Sequence, residues 1–264
     1  MPKIELKEKE HYRSLKLPKI CFQNLDNKNV DIPVDLYSFI LKKIGFLVID
    51  INFDNNESIL ENIVAKLGRA HTHSTDEDAI WHIKQGGTTG NDILARSHRL
   101  DEFVLHTDCS YEPETPNFFA LQCIHSDKLG GGKNLFVDAS TLIQHLSYSS
   151  LKTLQSELVE IRVPPEFKRG VEMIHAHIID ANFNIRYRRE LIVESSLSER
   201  LKVALNEFEH LCHSTLLNRW FELNDNQILI LDNRRYLHAR TKIHDRKRHL
   251  LRIRFFMDNH NPMS

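Results

Sequence analysis

The stretch VLHTDCSYEPETPN (104–117) places a histidine and an aspartate two positions apart, straight after two aliphatic residues. On a strand, side chains at i and i+2 point the same way, so His106 and Asp108 can grip one ion together. A third donor must come from elsewhere. The best candidate is His238, in LDNRRYLHART (231–241), which also follows a buried-strand run, ILILD, and also sits beside a polar turn. Two imidazoles and one carboxylate on one face of an ion leave the opposite face open. That donor set suits non-haem Fe(II) oxygen chemistry, in which an organic co-substrate and O₂ must bind together. A structural zinc site would want four protein ligands, usually with cysteine among them. Taken alone, a His-x-Asp dipeptide is weak evidence, and a histidine near a strand end is commonly a satisfied polar residue.

The bulk numbers restrict the alternatives. The chain has 264 residues, 41% hydrophobic and 27% charged, with a net charge of −1. That is enough for a large core, and nothing at whole-chain level points to nucleic acid or an acidic membrane surface. Apolar runs are far shorter than a membrane span, and MPKIELKEKEHYRS has no apolar signal core. The expectation is a soluble cytoplasmic protein. The four cysteines, Cys21, Cys109, Cys123 and Cys212, form no CxxC pair and are expected to be reduced and buried. The six charges Arg234, Arg235, Arg240, Lys242, Arg246 and Lys247 read as a solvated basic strand. A nucleic-acid surface would need aromatics interleaved with them.

These donors need elements to hold them. PVDLYSFILKKIG (33–45) and NNESILENIVAKLG (55–68) have helical spacing with glycine stops. GFLVID (45–50), EFVLHTD (102–108), NFFALQCI (117–124), VEIRV (159–163) and NIRYRRELIV (184–193) read as strands. LGGGKNLFVDA (129–139) reads as a glycine turn feeding a strand. Short helices are expected across 140–158 and one long amphipathic helix across 196–221. ILILDNRRYLHAR and RHLLRIRFF close the chain as strands. Strands decorated by helices suit a mainly β, α+β architecture with a jelly-roll core better than an alternating parallel sheet. One domain over 1–264 is expected, with an N-terminal arm at 1–18 and a helix-containing insertion at 140–222. The GGTTGND loop (86–92) and residues 165–182 are candidates for a lid.

Four blocks, taken in order, resemble one family: LHTDCSYEPETPNFFALQCI, GGGKNLFVD, LDNRRYLHART and RHLLRIRF. Over roughly 86–256 the chain resembles the taurine dioxygenase/TfdA-like family of Fe(II)- and 2-oxoglutarate-dependent dioxygenases, which includes clavaminate synthase-like enzymes. The resemblance implies a double-stranded β-helix, with His106, Asp108 and His238 as the iron ligands. It implies oxidative decarboxylation of 2-oxoglutarate by O₂ to succinate and CO₂, coupled to hydroxylation of an unactivated C–H bond. Related halogenases carry a small residue where Asp108 stands, so oxygenation is the expected outcome.

The same resemblance assigns a pair of arginines four apart to Arg248 and Arg252. The first takes the far carboxylate of 2-oxoglutarate and the second faces an acidic group of substrate, although the two roles are exchanged in some members. Asn134 stands where the family commonly has a threonine that binds the same carboxylate. Tyr111 is a candidate pocket wall. Glu102 is a candidate partner for a substrate amine, which together with Arg252 suggests a small amino-acid-like substrate. Arg186 and Arg188 are further rim candidates. Desaturation or another oxidative outcome at the same site, a vestigial ligand-binding jelly roll and a hydrolytic zinc enzyme are the competing readings. The sequence leaves the oligomeric state open.

Overall fold

The computed structural model describes residues 13–27, 31–53, 57–72, 79–85, 95–168 and 170–257. The 86–92 loop lies outside them, and so does the expected arm up to residue 12. In chain order the elements are β1 (Arg13–Ser14), β2 (Phe22–Leu25), α1 (Val34–Lys43), β3 (Phe46–Ile51), α2 (Glu57–Leu67), β4 (Arg69–His71), β5 (Trp81–Lys84), β6 (Phe103–His106), β7 (Phe118–His125) and β8 (Asn134–Asp138). They continue with α3 (Ala139–His145), α4 (Tyr148–Ser156), β9 (Val159–Arg162), β10 (Met173–Ala176), α5 (Glu199–Cys212), β11 (Arg219–Phe221), β12 (Gln227–Asp232), β13 (Tyr236–Arg240) and β14 (His249–Phe256).

Two sheets carry the fold. One runs β1-β11-β8-β13-β6; the other runs β2-β3-β12-β7-β14-β4, with β5 also paired to β14. The alternation along each strand shows how they stack. Phe46 and Val48 of β3, Phe119 and Leu121 of β7 and Leu229 and Leu231 of β12 pack with Phe136 of β8 and Tyr236 of β13. Phe46 makes edge-on ring contacts with Phe136 at 5.2 Å and Tyr236 at 5.9 Å, centroid to centroid. The alternate residues Leu47, Ile49, Ile228 and Ile230 face α1 and α2 through Ile40, Leu41, Leu60 and Ile63. On the far side, Leu135, Val137, Leu237 and Ala239 pack on α3–α5 through Leu142, Leu154, Leu205 and Phe208. The molecule is therefore a jelly-roll β-sandwich with helices on both outer faces. Strands buried on both faces read as unbroken apolar runs, which is why GFLVID and ILIL show no alternation.

Two elements differ from the sequence expectation. NIRYRRELIV does not enter a sheet; it makes only isolated bridges, Ile179 to Ile185, His106 to Arg188 and Ile161 to Ile192, and turns through a 3₁₀ helix at Arg189–Leu191. Its alternating apolar residues face the core, while the Arg186 side chain is spent on the carbonyls of Ser110, Glu112 and Pro113. The helix expected to reach 221 ends at Cys212. Asn218 Nδ2 donates to the Cys212 and Ser214 carbonyls, closing the helix end, and RWF (219–221) pairs with β8. Among the described residues no helix is long and apolar enough to cross a membrane.

Candidate active site

β6 and β13 are antiparallel neighbours, and His106 stands directly opposite His238. Both side chains fall on the inner face of the sandwich, since Leu105, Leu237 and Ala239 are taken by the outer core. β6 ends at His106. Asp108 lies just beyond it, and Cys109 reverses the chain with φ 55°. The buried Asn233 fixes that turn: Asp108 N donates to its Oδ1 at 2.7 Å, and its Nδ2 donates to the Asp108 and Pro116 carbonyls at 2.9 Å. On the opposite side Thr107 N donates to the Tyr187 carbonyl at 2.7 Å.

The three side chains converge. One ligating atom from each of His106, Asp108 and His238 lies within 4.8 Å of the others. Asp108 Oδ1 is 3.7 Å from His106 Nε2 and 3.9 Å from His238 Nε2. His106 Nδ1 donates to the Val104 carbonyl at 2.8 Å, which leaves Nε2 with its lone pair toward the convergence point. The His106 ring stacks on Phe103 at 3.7 Å. Burial, with His238 beside it, pulls the His106 imidazole down to about 4, so it is neutral at pH 7. Burial pushes the Asp108 carboxyl up, but the Arg252 and Arg254 guanidiniums outweigh it and hold the group well below the usual carboxylate range. Two imidazoles and one ionised carboxylate form a donor set for a divalent ion, with no cysteine among them.

The triad opens into a cleft whose lining includes Ser97, Phe103, Phe119, Leu121, Asn134, Arg240, Arg248 and Arg252. Arg248 is buried, its Nη1 has no hydrogen-bond partner, and burial pulls its guanidinium down to about 10. Among the described residues no carboxylate pairs with it. An unmatched buried cation is costly, and an anionic ligand is the natural remedy. The glycine turn comes close to it, because a Cβ at Gly132 (φ +64°) would lie 2.8 Å from Arg248 Nε. Asp127 braces this corner by accepting from the backbone N–H groups of Leu129, His244 and Asp245.

Arg252 is also buried, but its Nη1 straddles the Asp108 carboxylate at 3.2 and 3.1 Å, and its buried Nε has no partner. Arg254 Nε donates to Asp108 Oδ2 at 3.0 Å. Tyr111 belongs to the outer core and stacks on Phe167 at 5.1 Å, with Trp81 on that ring's other contact at 6.1 Å. Tyr111 does not line the cleft, and neither does Glu102, whose carbonyl accepts from Arg96. Arg188 lies over the Phe103 ring and pairs with Glu190. Arg240, expected on a solvated strand, is instead buried and donates to the Arg99 and Asp101 carbonyls. A second trio, His71, Cys109 and Glu112, flanks the turn, with His71 and Glu112 paired at 2.6 Å. Sequence reasoning missed Phe103, Asn233 and Asp127. Asn233 had a faint signal, being an Asn in the turn just before His238; Asp127 had none.

A family model, taurine catabolism dioxygenase TauD, TfdA family, matches residues 39–254. The curated protein Dioxygenase str8 of Strobilurus tenacellus is 25% identical over 147 residues, covering 52% of this chain and 34% of that protein. The chain thus spans about a third of the length of that curated relative. Among solved structures, an asparagine oxygenase with Fe(II), 2S,3S-3-hydroxyasparagine and succinate superposes with a TM-score of 0.70 at 18% identity, over 85% of this chain and 78% of that one. The non-haem iron oxygenase OrfP with Fe and α-ketoglutaric acid gives 0.67 at 16% identity, over 84% and 78%. PvcB, an Fe, α-ketoglutarate-dependent oxygenase from an isonitrile synthetic pathway, gives 0.64 at 14% identity, over 97% and 95%. These likenesses describe the fold.

Proposed function

The chain belongs to the taurine catabolism dioxygenase TauD, TfdA family, and from that premise we propose that it is an Fe(II)- and 2-oxoglutarate-dependent dioxygenase that hydroxylates a small, polar, amino-acid-like substrate. One observation carries the reading: a cleft in which a two-histidine, one-carboxylate trio shares its walls with Arg248, a buried cation that no carboxylate pairs with among the described residues. A hydrolytic zinc centre would leave that charge unused, and a non-catalytic binder would not need the trio.

Iron would sit between His106 Nε2, Asp108 Oδ1 and His238 Nε2. When iron, 2-oxoglutarate and O₂ are bound, the chemistry supplied is oxidative decarboxylation to succinate and CO₂, with one oxygen atom of O₂ entering a C–H bond of substrate. The residues do the rest. The Val104 carbonyl fixes the His106 tautomer. Arg248 neutralises the distal carboxylate of 2-oxoglutarate, with Asn134 beside it on the same wall. Phe103, Phe119 and Leu121 line the remaining surface with apolar groups and exclude water. Arg252 keeps a buried Nε for an acidic group of substrate while its Nη1 holds Asp108.

The amino-acid-like class is supported by two fold relatives whose complexes contain hydroxyasparagine and hydroxy-L-arginine. The test is 2-oxoglutarate- and O₂-dependent succinate release across a panel of free amino acids, with product masses read alongside. Substrate-stimulated succinate, a hydroxylated product and silence from Asp108→Ala are expected. A panel giving no turnover above uncoupled 2-oxoglutarate decay would sink the substrate class, and a product lacking two hydrogens would shift the chemistry to desaturation.

A further inference from the structure

The two oxygens of Asp108 are in different positions. Oδ1 faces both histidines, 3.7 Å from His106 Nε2 and 3.9 Å from His238 Nε2. Oδ2 is held by Arg254 Nε at 3.0 Å, while Arg252 Nη1 bridges the carboxylate, 3.1 Å from Oδ2 and 3.2 Å from Oδ1, so Arg254 is the guanidinium that singles out Oδ2. Arg254 lies on the same inner face of β14 as Arg252, is buried, and is outside the group of residues lining the cleft. It donates to one oxygen of the Asp108 carboxylate.

We propose that Arg254 is a positioning residue that makes Asp108 a one-oxygen ligand. A carboxylate free to rotate would chelate a divalent ion through both oxygens and take one more of its positions. Fixing Oδ2 on a guanidinium leaves only Oδ1 for the ion, so the positions needed by the two oxygens of a keto acid and by O₂ stay open. Arginine suits this job because its planar N–H fork is rigid and permanently charged. Arg254 is also braced by its place in the sheet, standing opposite Phe119 on β7 and His71 on β4. This inference rests on the metal reading of the trio and adds a determinant of its geometry.

The experiment uses Co(II) as a spectroscopic stand-in on the full chain. Co(II) titrations of the parent, Arg254→Met and Arg254→Lys are followed by absorbance, with circular dichroism and thermal melts alongside. Outer partners of ligands typically contribute about 10–100-fold in metal affinity. Loss of that order in folded Arg254→Met, a changed cobalt d–d spectrum and partial recovery in Arg254→Lys are expected. A merely structural role would lower the melting temperature and leave both the affinity and the spectrum of the folded protein unchanged, and that result overturns the proposal. Should Arg254→Met not fold, a crystal structure of the Co(II)-loaded parent decides. Oδ1 on cobalt with Oδ2 still on Arg254 supports it; both oxygens on cobalt, or Arg254 turned away, overturns it. A parent that binds no Co(II) would refute the metal reading itself, whereas tight binding by parent and Arg254→Met alike refutes only the role of Arg254.

Discussion

Asp108 neutralises two buried arginines as well as being a proposed iron ligand. Removing one partner of a buried ion pair leaves an uncompensated charge and costs about 3–5 kcal/mol. Asp108→Ala is therefore expected to lose stability as well as turnover, because Arg252 and Arg254 are left unmatched. A small anion should relieve them. The melting temperature of Asp108→Ala is predicted to rise more in chloride than in gluconate at equal ionic strength, with little difference for the parent. Equal responses would mean the two guanidiniums find other partners. Arg248 is the converse case, a buried cation that no carboxylate pairs with among the described residues. Hydrogen bonds to charged groups are worth about 1.5–3 kcal/mol each, so Arg248→Ala should weaken 2-oxoglutarate binding by about 10–100-fold and leave Fe(II) binding intact. The donor types and the i, i+2 spacing were legible in the sequence. The hold of Arg252 and Arg254 on Asp108 was not, because it joins residues 144 and 146 positions apart.

The glycine turn before β8 shapes the co-substrate corner. Gly132 has φ +64°, and a Cβ there would lie 2.8 Å from Arg248 Nε and 3.1 Å from its Cδ. Gly132→Ala is predicted to push Arg248 aside, raising the 2-oxoglutarate requirement severalfold while Fe(II) affinity holds; separate titrations of metal and co-substrate read this directly. Asp127 braces the same turn. Burial pushes its carboxyl up, but the backbone N–H groups of His244, Asp245, Leu129 and Gly131 hold it below the ordinary value. A depressed carboxylate stabilises the fold above its unfolded pKa of about 4 and loses that contribution as pH falls through the lower folded value. Asp127→Asn should therefore be less stable near neutrality and show a flatter acid limb in denaturant melts than the parent. Elements with one apolar face were legible from periodicity, α1 and α2 among them. NIRYRREL was misread because its alternation serves bridges and loop clamping, and the end of α5 was missed because Asn218, a tertiary cap, closes it.

Across the molecule, the jelly-roll class followed from strand-rich blocks separated by turns, and the structure agrees. The stacking of helix, sheet, sheet and helix places every proposed ligand and both cleft arginines on inward-facing positions between the sheets. Tyr111 shows what a linear reading cannot supply. Three residues past Asp108, it lies in the outer core against Phe167, so Tyr111→Ala should cost about 3–5 kcal/mol and shift the melting temperature more than any substrate KM. The central claim is that the trio and Arg248 together hold iron and a keto acid. Its most direct test is an oxygen-free absorbance titration of the apoprotein with Fe(II) and then 2-oxoglutarate. The account predicts a weak visible charge-transfer band in the parent, absent in His106→Ala and demanding far more 2-oxoglutarate in Arg248→Ala. Bound Fe(II) with no band at any 2-oxoglutarate concentration would contradict it.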